Sequence, residues 1–249
     1  MANFVLVPGF WLGGWAWKDV AEHLRTRGHE VYPLSLTGLG ERVHLGSAET
    51  NLDTHVADVV NLIEFEELEA VHLVGHSYGG IVMTAVADKI PERLARLIYV
   101  DAAPLPDNTA LVDFYAPAQL AAFQRAVEER GDGWRLPLPS WEELDQGDNI
   151  KGLTAKDKKR IERLATPQPF NAARQKISLK NPARRDLPKI VVLNTYSAAR
   201  VKELIDSGAP LFQEMNDPNL VFAELPTGHY PMFSRPAELS DILLEAVSH

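Results

Sequence analysis

Four runs that are apolar at nearly every position recur along this chain: Phe4-Val5-Leu6-Val7, Ala70-Val71-His72-Leu73-Val74, Leu97-Ile98-Tyr99-Val100 and Ile190-Val191-Val192-Leu193. Such continuity, in place of strict alternation, suits strands buried on both faces, which is the environment of a parallel sheet. Parallel neighbours need long crossovers, and helical spacing stands between the runs. A helix is predicted from Trp15 to Arg27, closed by Gly28. Another follows Asp53 or Thr54 as cap and carries Val56, Val59, Val60 and Ile63 on one stripe. Further helices are expected from Tyr78 to about Lys89, from Ala199 to Asp206 and from Pro236 onward. Glu30 to Leu34 and Leu220 to Leu225 supply two more strands. The alternation predicts an α/β, doubly wound, six-stranded and mainly parallel sheet with right-handed crossovers. Ligands are then expected beyond the C-terminal ends of the strands.

The rhythm changes between Pro104 and Leu187. Helical stretches such as Ala118 to Arg130 alternate with segments rich in Pro and Trp, including Trp134-Arg135-Leu136-Pro137. A structureless loop of that length is improbable in a compact domain. Residues 104–187 are therefore expected to form a mostly helical cap inserted after the fourth strand. Residues 1–103 and 188–249 form the core.

Composition removes several classes of function. Among 249 residues, 45% are hydrophobic and 24% charged, an ordinary globular balance. The formal net charge of −9 disfavours a nucleic-acid partner, because phosphate binding needs basic surface. With no cysteine, disulfides, thiolate catalysis and sulfur-ligated metals are excluded. No other metal-ligand spacing stands out, so neither a metal nor a cofactor is expected. Met1-Ala2-Asn3-Phe4 lacks the basic start of a secretory signal, and no apolar run reaches membrane-spanning length. A cytoplasmic protein without membrane contact is the default expectation; a homodimer is left open.

Gly75-His76-Ser77-Tyr78-Gly79 lies where an apolar strand gives way to a helical pattern. G-x-S-x-G in that context is the nucleophile elbow, a strained turn that lifts a serine hydroxyl above the sheet. A serine hydroxyl needs a base near neutral pH. Of eight histidines, His229 is favoured because Pro226-Thr227-Gly228-His229-Tyr230-Pro231 follows the last strand and can reach across the strand ends. His76 flanks the nucleophile and is read as pocket wall, and His72 as a core residue. His23, His29, His44, His55 and His249 are read as surface or loop residues. Acyl transfer creates an oxyanion, and the N–H groups of Phe10, beyond Pro8-Gly9, and Tyr78 are the candidate donors. Trp15 and Trp17 fit a helix start facing the core.

FVLVPGFWLGGWAW, YPLSLTGLGER, VHLVGHSYGG, PLPDN and LPTGHYPMFSRPAEL together cover nearly the whole chain. In them the chain resembles the α/β-hydrolase branch that contains plant methylesterases, hydroxynitrile lyases and bacterial esterase relatives. The resemblance implies the roles of Ser77, His229, Phe10 and Tyr78, a helical cap and ester-like substrates. Two departures from that branch stand out. Its triad acid usually follows the fifth strand, in a segment like C-T-x-D, whereas this chain has Leu193-Asn194-Thr195-Tyr196-Ser197, with Ser197 at the acid position. Glu203 and Asp206 come later, on a helix face expected to be solvated. Asp101, at the end of the fourth strand, takes the role instead, as in haloalkane dehalogenases of the same fold. The lyases also resemble one another in a Thr after the first strand and a Lys after the catalytic His; Gly9 and Tyr230 stand there.

The expected activity is therefore hydrolysis of a small carboxylic ester through an acyl-enzyme on Ser77, with His229 as base and Asp101 as its orienting acid. Alternatives on the same site are a lyase, a lactone, amide or C–C hydrolase, or a receptor-like ligand-binding protein. Phe114, Tyr115, Phe123, Trp134, Trp141 and Phe170 are candidates either to line an apolar pocket or to pack the cap.

Overall fold

The computed structural model of the chain describes residues 1–145 and 148–247. The core elements are β1 (Asn3–Val7), α1 (Lys18–Thr26), β2 (Glu30–Pro33), α2 (Leu52–Phe65), β3 (Val71–His76), α3 (Tyr78–Lys89) and β4 (Leu94–Val100). Next come α4 (Pro117–Arg130), β5 (Arg135–Leu136), α5 (Trp141–Leu144), α6 (Ala155–Leu164), β6 (Gln168–Pro169) and α7 (Asn171–Arg174). The core resumes with β7 (Lys189–Leu193), α8 (Ala198–Asp206), β8 (Leu220–Glu224), α9 (Pro231–Ser234) and α10 (Pro236–Glu245).

Six strands pair in the order β2-β1-β3-β4-β7-β8, every pair parallel. Successive side chains leave a strand on opposite faces, and both faces here are covered. Val5, Val7, Leu73, Leu97, Tyr99 and Val191 face a core completed by α2, α3 and α8. Phe4, Leu6, Val74, Ile98, Val100 and Val192 face a second core that includes Val20 and Leu24 of α1 and Leu239 and Leu243 of α10. Each such residue contributes about 1.5–3 kcal/mol by leaving water. That two-sided burial is why the runs are continuous. The two edge strands depart from it: in β2 Val31 alone of the four residues is buried, and in β8 Val221 is 56% exposed.

Winding reverses between β1 and β3: β2 lies on one side of β1, and all later strands lie on the other. The crevice at the C-terminal ends of β1 and β3 is thus the topological switch point, where ligands bind in open α/β sheets. Phe10 follows one of these strands and Ser77 the other.

Local details differ from expectation in instructive ways. The predicted first helix begins as a 3-10 turn at Gly14–Trp17, with Trp17 fully buried and Trp15 only half-buried against Phe233. The cap of α2 is Asn51, neither Asp53 nor Thr54. Its side chain accepts from Thr54 N, and the Thr54 hydroxyl accepts from Asn51 N in a reciprocal capping box. Gly28, at φ +82°, ends α1 in the left-handed region as predicted.

The stretch 104–187 holds α4–α7 and a two-stranded antiparallel β5–β6 ribbon. Pro117 starts α4, and Ser140 and Thr154 cap α5 and α6. Arg160 anchors α6 to the core, donating to Trp15 O at 2.9 Å and Asp19 Oδ2 at 3.2 Å. Trp11 Nε1 donates to Leu136 O at 3.0 Å, tying the ribbon to the loop after β1.

Gly79 shows how tightly the elbow is built. A Cβ there would lie 2.6 Å from Val7 O and 2.8 Å from Pro8 O, both backbone atoms of the neighbouring strand end. Gly79→Ala is expected to cost about 1–3 kcal/mol, as overpacking without room to relax does. Urea denaturation measures it. An unchanged midpoint would mean that the β1–α3 contact is looser than these distances require.

Candidate active site

Ser77 sits between β3 and α3 at φ +52° and ψ −121°, a conformation that side-chain-bearing residues adopt at a cost of roughly 1–3 kcal/mol. The surroundings enforce it. Ser77 N donates to Val100 O at 3.1 Å, extending the β3–β4 ladder into the turn. A Cβ on Gly75 would lie 2.5 Å from both Gly79 O and Met83 Sδ, so strand and helix close together only around glycine.

Asp101 ends β4 in a second strained turn, at φ +44°. Its Oδ1 accepts from Asn194 N at 3.2 Å, Thr195 N at 3.1 Å and the Thr195 hydroxyl at 3.1 Å. Its Oδ2 lies 2.6 Å from His229 Nδ1. Burial alone would raise this carboxyl. The hydrogen bond and charge of His229, with the Thr195 N–H, outweigh burial and hold Asp101 below the usual carboxylate range. A carboxylate accepts, so His229 Nδ1 carries a proton and donates it to Asp101.

The His229 backbone is held on three sides. His229 N donates to Asn149 O at 2.7 Å, Gly228 N donates to Lys151 O at 3.0 Å, and His76 Nε2 donates to His229 O at 2.6 Å. His76 is buried and its pKa is lowered to about 3, mainly by burial and then by the charge of His229. It is neutral, and its role here is to grip the histidine loop. Its Nδ1 is buried and has no hydrogen-bond partner among the described residues.

Ser77, Asp101 and His229 line one cavity of about 760 Å³ together with Phe10 and Tyr78. No hydrogen bond joins Ser77 Oγ to His229 among the described residues; in unliganded sites such contacts are often long and tighten on binding. Tyr78 N is the first N–H of α3, a position with no partner inside the helix, and Phe10 lies in the turn after β1. Neither N–H donates to another group among the described residues. The Phe10 and Tyr78 rings pack at 4.9 Å between centroids.

The acid position of the resembling branch is occupied by an ordinary cap. Ser197 is exposed and accepts from Arg200 N at 3.2 Å as N-cap of α8. Glu203 and Asp206 are exposed, as expected. The strand end that lacks the carboxylate instead supplies the two N–H groups that hold Asp101.

Of the six cap aromatics, Tyr115 and Phe123 line the cavity. Phe170 is buried, Trp134 lies under Arg135, and Trp141 bonds Glu162. Leu211, Phe212 and Met215, from the 3-10 segment after α8, complete the apolar wall with Tyr196. Sequence reading missed these, because apolar residues there look like packing. His55, expected at the surface, is completely buried between the Tyr78 hydroxyl and Thr37 O. His72 is 8% exposed and packs on Phe4, while His249 lies outside the described residues. No helix among the described residues is long and apolar enough to cross a membrane.

Comparison with known proteins agrees with this architecture. The chain is 33% identical to a carbendazim hydrolyzing esterase of Nocardioides sp., over 98% of both chains. It is 27% identical to methylesterase 2 of Arabidopsis thaliana, over 97% of this chain and 94% of the relative. In three dimensions it superposes with a TM-score of 0.82 on an extracellular alpha/beta-hydrolase from a Paenibacillus species, 24% identical over 99% of both chains. A methylesterase structure from Arabidopsis superposes at 0.74, with 21% identity over 100% of this chain and 99% of the other. The esterase and methylesterase relatives support ester cleavage as the chain's activity. The alpha/beta hydrolase family model matches residues 4–242, and with that coverage and a relative at 33% identity the chain belongs to the alpha/beta hydrolase family.

Proposed function

We propose that this chain is a serine esterase that cleaves small, mainly apolar carboxylic esters through an acyl-enzyme on Ser77. The observation that carries the reading is the 2.6 Å contact between Asp101 Oδ2 and His229 Nδ1, in the same cavity as a serine held at φ +52°. Ser77 Oγ attacks the ester carbonyl while His229 Nε2 takes its proton. The Phe10 and Tyr78 N–H groups hold the tetrahedral oxyanion, and Asp101 stabilises the imidazolium. Collapse expels the alcohol, which takes the proton back from His229. Water, activated by the same imidazole, then frees the acid. Residues 104–187 act as a cap over this cavity, contributing Tyr115 and Phe123 to its wall.

Lyase chemistry on this site meets an obstacle at Gly9. A Cβ there would lie 2.8 Å from His76 Nδ1 and 2.9 Å from Ser77 Cβ, leaving no space for the threonine that the lyases of this branch resemble one another in carrying. With Tyr230 following His229, a cation to receive a leaving anion is absent from that position too.

A fluorophosphonate probe tests the mechanism directly. It is expected to add covalently to Ser77 as the sole modified residue, and the adduct is absent from Ser77→Ala. A protein that hydrolyses p-nitrophenyl esters at full rate after Ser77→Ala would overturn the reading.

A further inference from the structure

The Gly-rich segment Thr37-Gly38-Leu39-Gly40 has no part in the mechanism above, yet it is wired to the residue beside the nucleophile. Tyr78 is 1% exposed, and its hydroxyl lies 2.8 Å from Nδ1 of the fully buried His55 on α2. His55 Nε2 lies 2.9 Å from Thr37 O. A carbonyl only accepts, so Nε2 carries the proton, Nδ1 accepts, and the Tyr78 hydroxyl donates. Thr37 is fixed in turn by Asp58, which accepts from Thr37 N at 2.6 Å and from the Thr37 hydroxyl at 2.9 Å. Arg42 closes the network, with Nη2 2.5 Å from Asp58 Oδ1. Every side-chain polar atom of Tyr78, His55 and Thr37 is thereby used.

Tyr78 occupies a particular place. Its ring touches Phe10 on one side, at 4.9 Å, and His55 on the other, at 5.7 Å. Phe10 and Tyr78 are the two residues whose N–H groups receive the oxyanion in the proposed mechanism. Their side chains pack on each other, and one of them is tied to α2 by a hydrogen bond inside an otherwise apolar layer. A buried polar group with a single satisfied arrangement fixes geometry more sharply than apolar contact does, because any shift leaves a donor or acceptor unpaired.

We propose that His55 is a positioning residue: through the Tyr78 hydroxyl it sets the placement of the oxyanion donors, and it links that placement to the Thr37–Arg42 segment. The inference rests on the serine-esterase reading of the site. His55 touches no reacting atom. Its effect reaches the chemistry through the Tyr78 side chain and the start of α3.

Misplaced donors cost most in the transition state, where the charge on oxygen is largest. His55→Leu and Tyr78→Phe, which break the same hydrogen bond from opposite ends, are each expected to lower kcat about ten-fold with KM within two-fold. That is less than the roughly 10²–10³-fold cost of deleting an oxyanion donor outright. The double variant is expected to be no slower than the slower single one, since both remove one interaction. Should His55→Leu not fold, Tyr78→Phe carries the test, because it keeps the ring packing and deletes only the hydroxyl.

Wild-type kcat in a folded Tyr78→Phe enzyme, or multiplicative losses in the double variant, would overturn the proposal. A rise in KM alone would overturn it too, since that signals a merely structural change in the pocket. Fluorophosphonate labelling of Ser77 in the same samples separates the two failures. Labelling with unchanged kcat removes only the role of His55, whereas no labelling of wild type removes the esterase mechanism itself.

Discussion

Asp101→Asn is expected to lower turnover by about four orders of magnitude and to leave the fold in place, the scale that loss of the correct imidazole tautomer produces in a serine-based site. The direction follows from which carboxylate oxygen is spoken for. Oδ1 accepts from Asn194 N, Thr195 N and the Thr195 hydroxyl, and two of these are backbone donors that cannot reverse. An asparagine must keep its oxygen on that side, which turns its NH₂ toward His229 Nδ1. Two donors cannot face each other, so His229 moves its proton to Nε2 to accept from the amide. An imidazole protonated at Nε2 cannot take the proton of Ser77. Steady-state ester hydrolysis measures the loss, and circular dichroism verifies the fold. Turnover within ten-fold of wild type would move the acid away from Asp101 or reduce the site to a Ser77–His229 pair.

Folding stability is expected to fall by several kcal/mol between neutral pH and about pH 4. His55 and His76 are fully buried; burial is the leading cause that lowers the first to about 4 and the second to about 3, against 6.5 for the free side chain. His72 is lowered to about 4, again chiefly by burial. Each folded value lies below the unfolded one. Stability is therefore fully present above pH 6.5 and is lost as pH falls toward the folded values, because the unfolded chain binds protons that the folded one refuses. In that window each fully buried ring removes about 1.4 kcal/mol per pH unit, with a smaller share from the less enclosed His72. Asp101, held below its ordinary range, adds a further loss at still lower pH. Over two pH units the two fully buried rings together remove about 5–6 kcal/mol, a large share of a total stability of roughly 5–15 kcal/mol. Urea midpoints at pH 7.0, 6.0 and 5.0 are the measurement. A flat series, with an unchanged dependence on denaturant, would mean that these rings are charged in the native protein.

Much of the architecture was written locally. The β3–Ser77–α3 elbow needs an apolar strand, two glycines whose Cβ positions are occupied by neighbouring atoms, and a helix-forming segment, all within consecutive residues. The same holds for the strand and helix rhythm, because two-sided burial imposes continuous apolar runs. His229 was legible for a similar reason: a histidine in the loop after the last strand of a parallel sheet lies on the side where the other strands end.

His55 was not legible. On an amphipathic helix a histidine beside Asn51, Asp53 and Thr54 reads as part of the wet face. Its burial depends on Tyr78 and on Thr37, which is 18 residues away in sequence. The wall formed by Tyr196, Leu211, Phe212 and Met215 was hidden likewise, since apolar character alone does not separate a residue that packs from one that faces a cavity.

Sequence by itself determined the doubly wound sheet, the glycine-bounded turn that carries Ser77 and the position of the His229 loop after the last strand, because each is specified by neighbours along the chain. Asp101 is a candidate in the sequence only through the resemblance, since Ser197 stands at the acid position of that branch and some members of the fold carry the acid at the end of the fourth strand. Only the tertiary structure decided which oxygen of Asp101 faces His229, because the donors that fix it come from the end of β7, some 93 residues further along the chain. β4 and β7 are adjacent in the sheet, so either strand end can present a group to the same point above it. Spatial adjacency of that kind leaves no trace in local sequence.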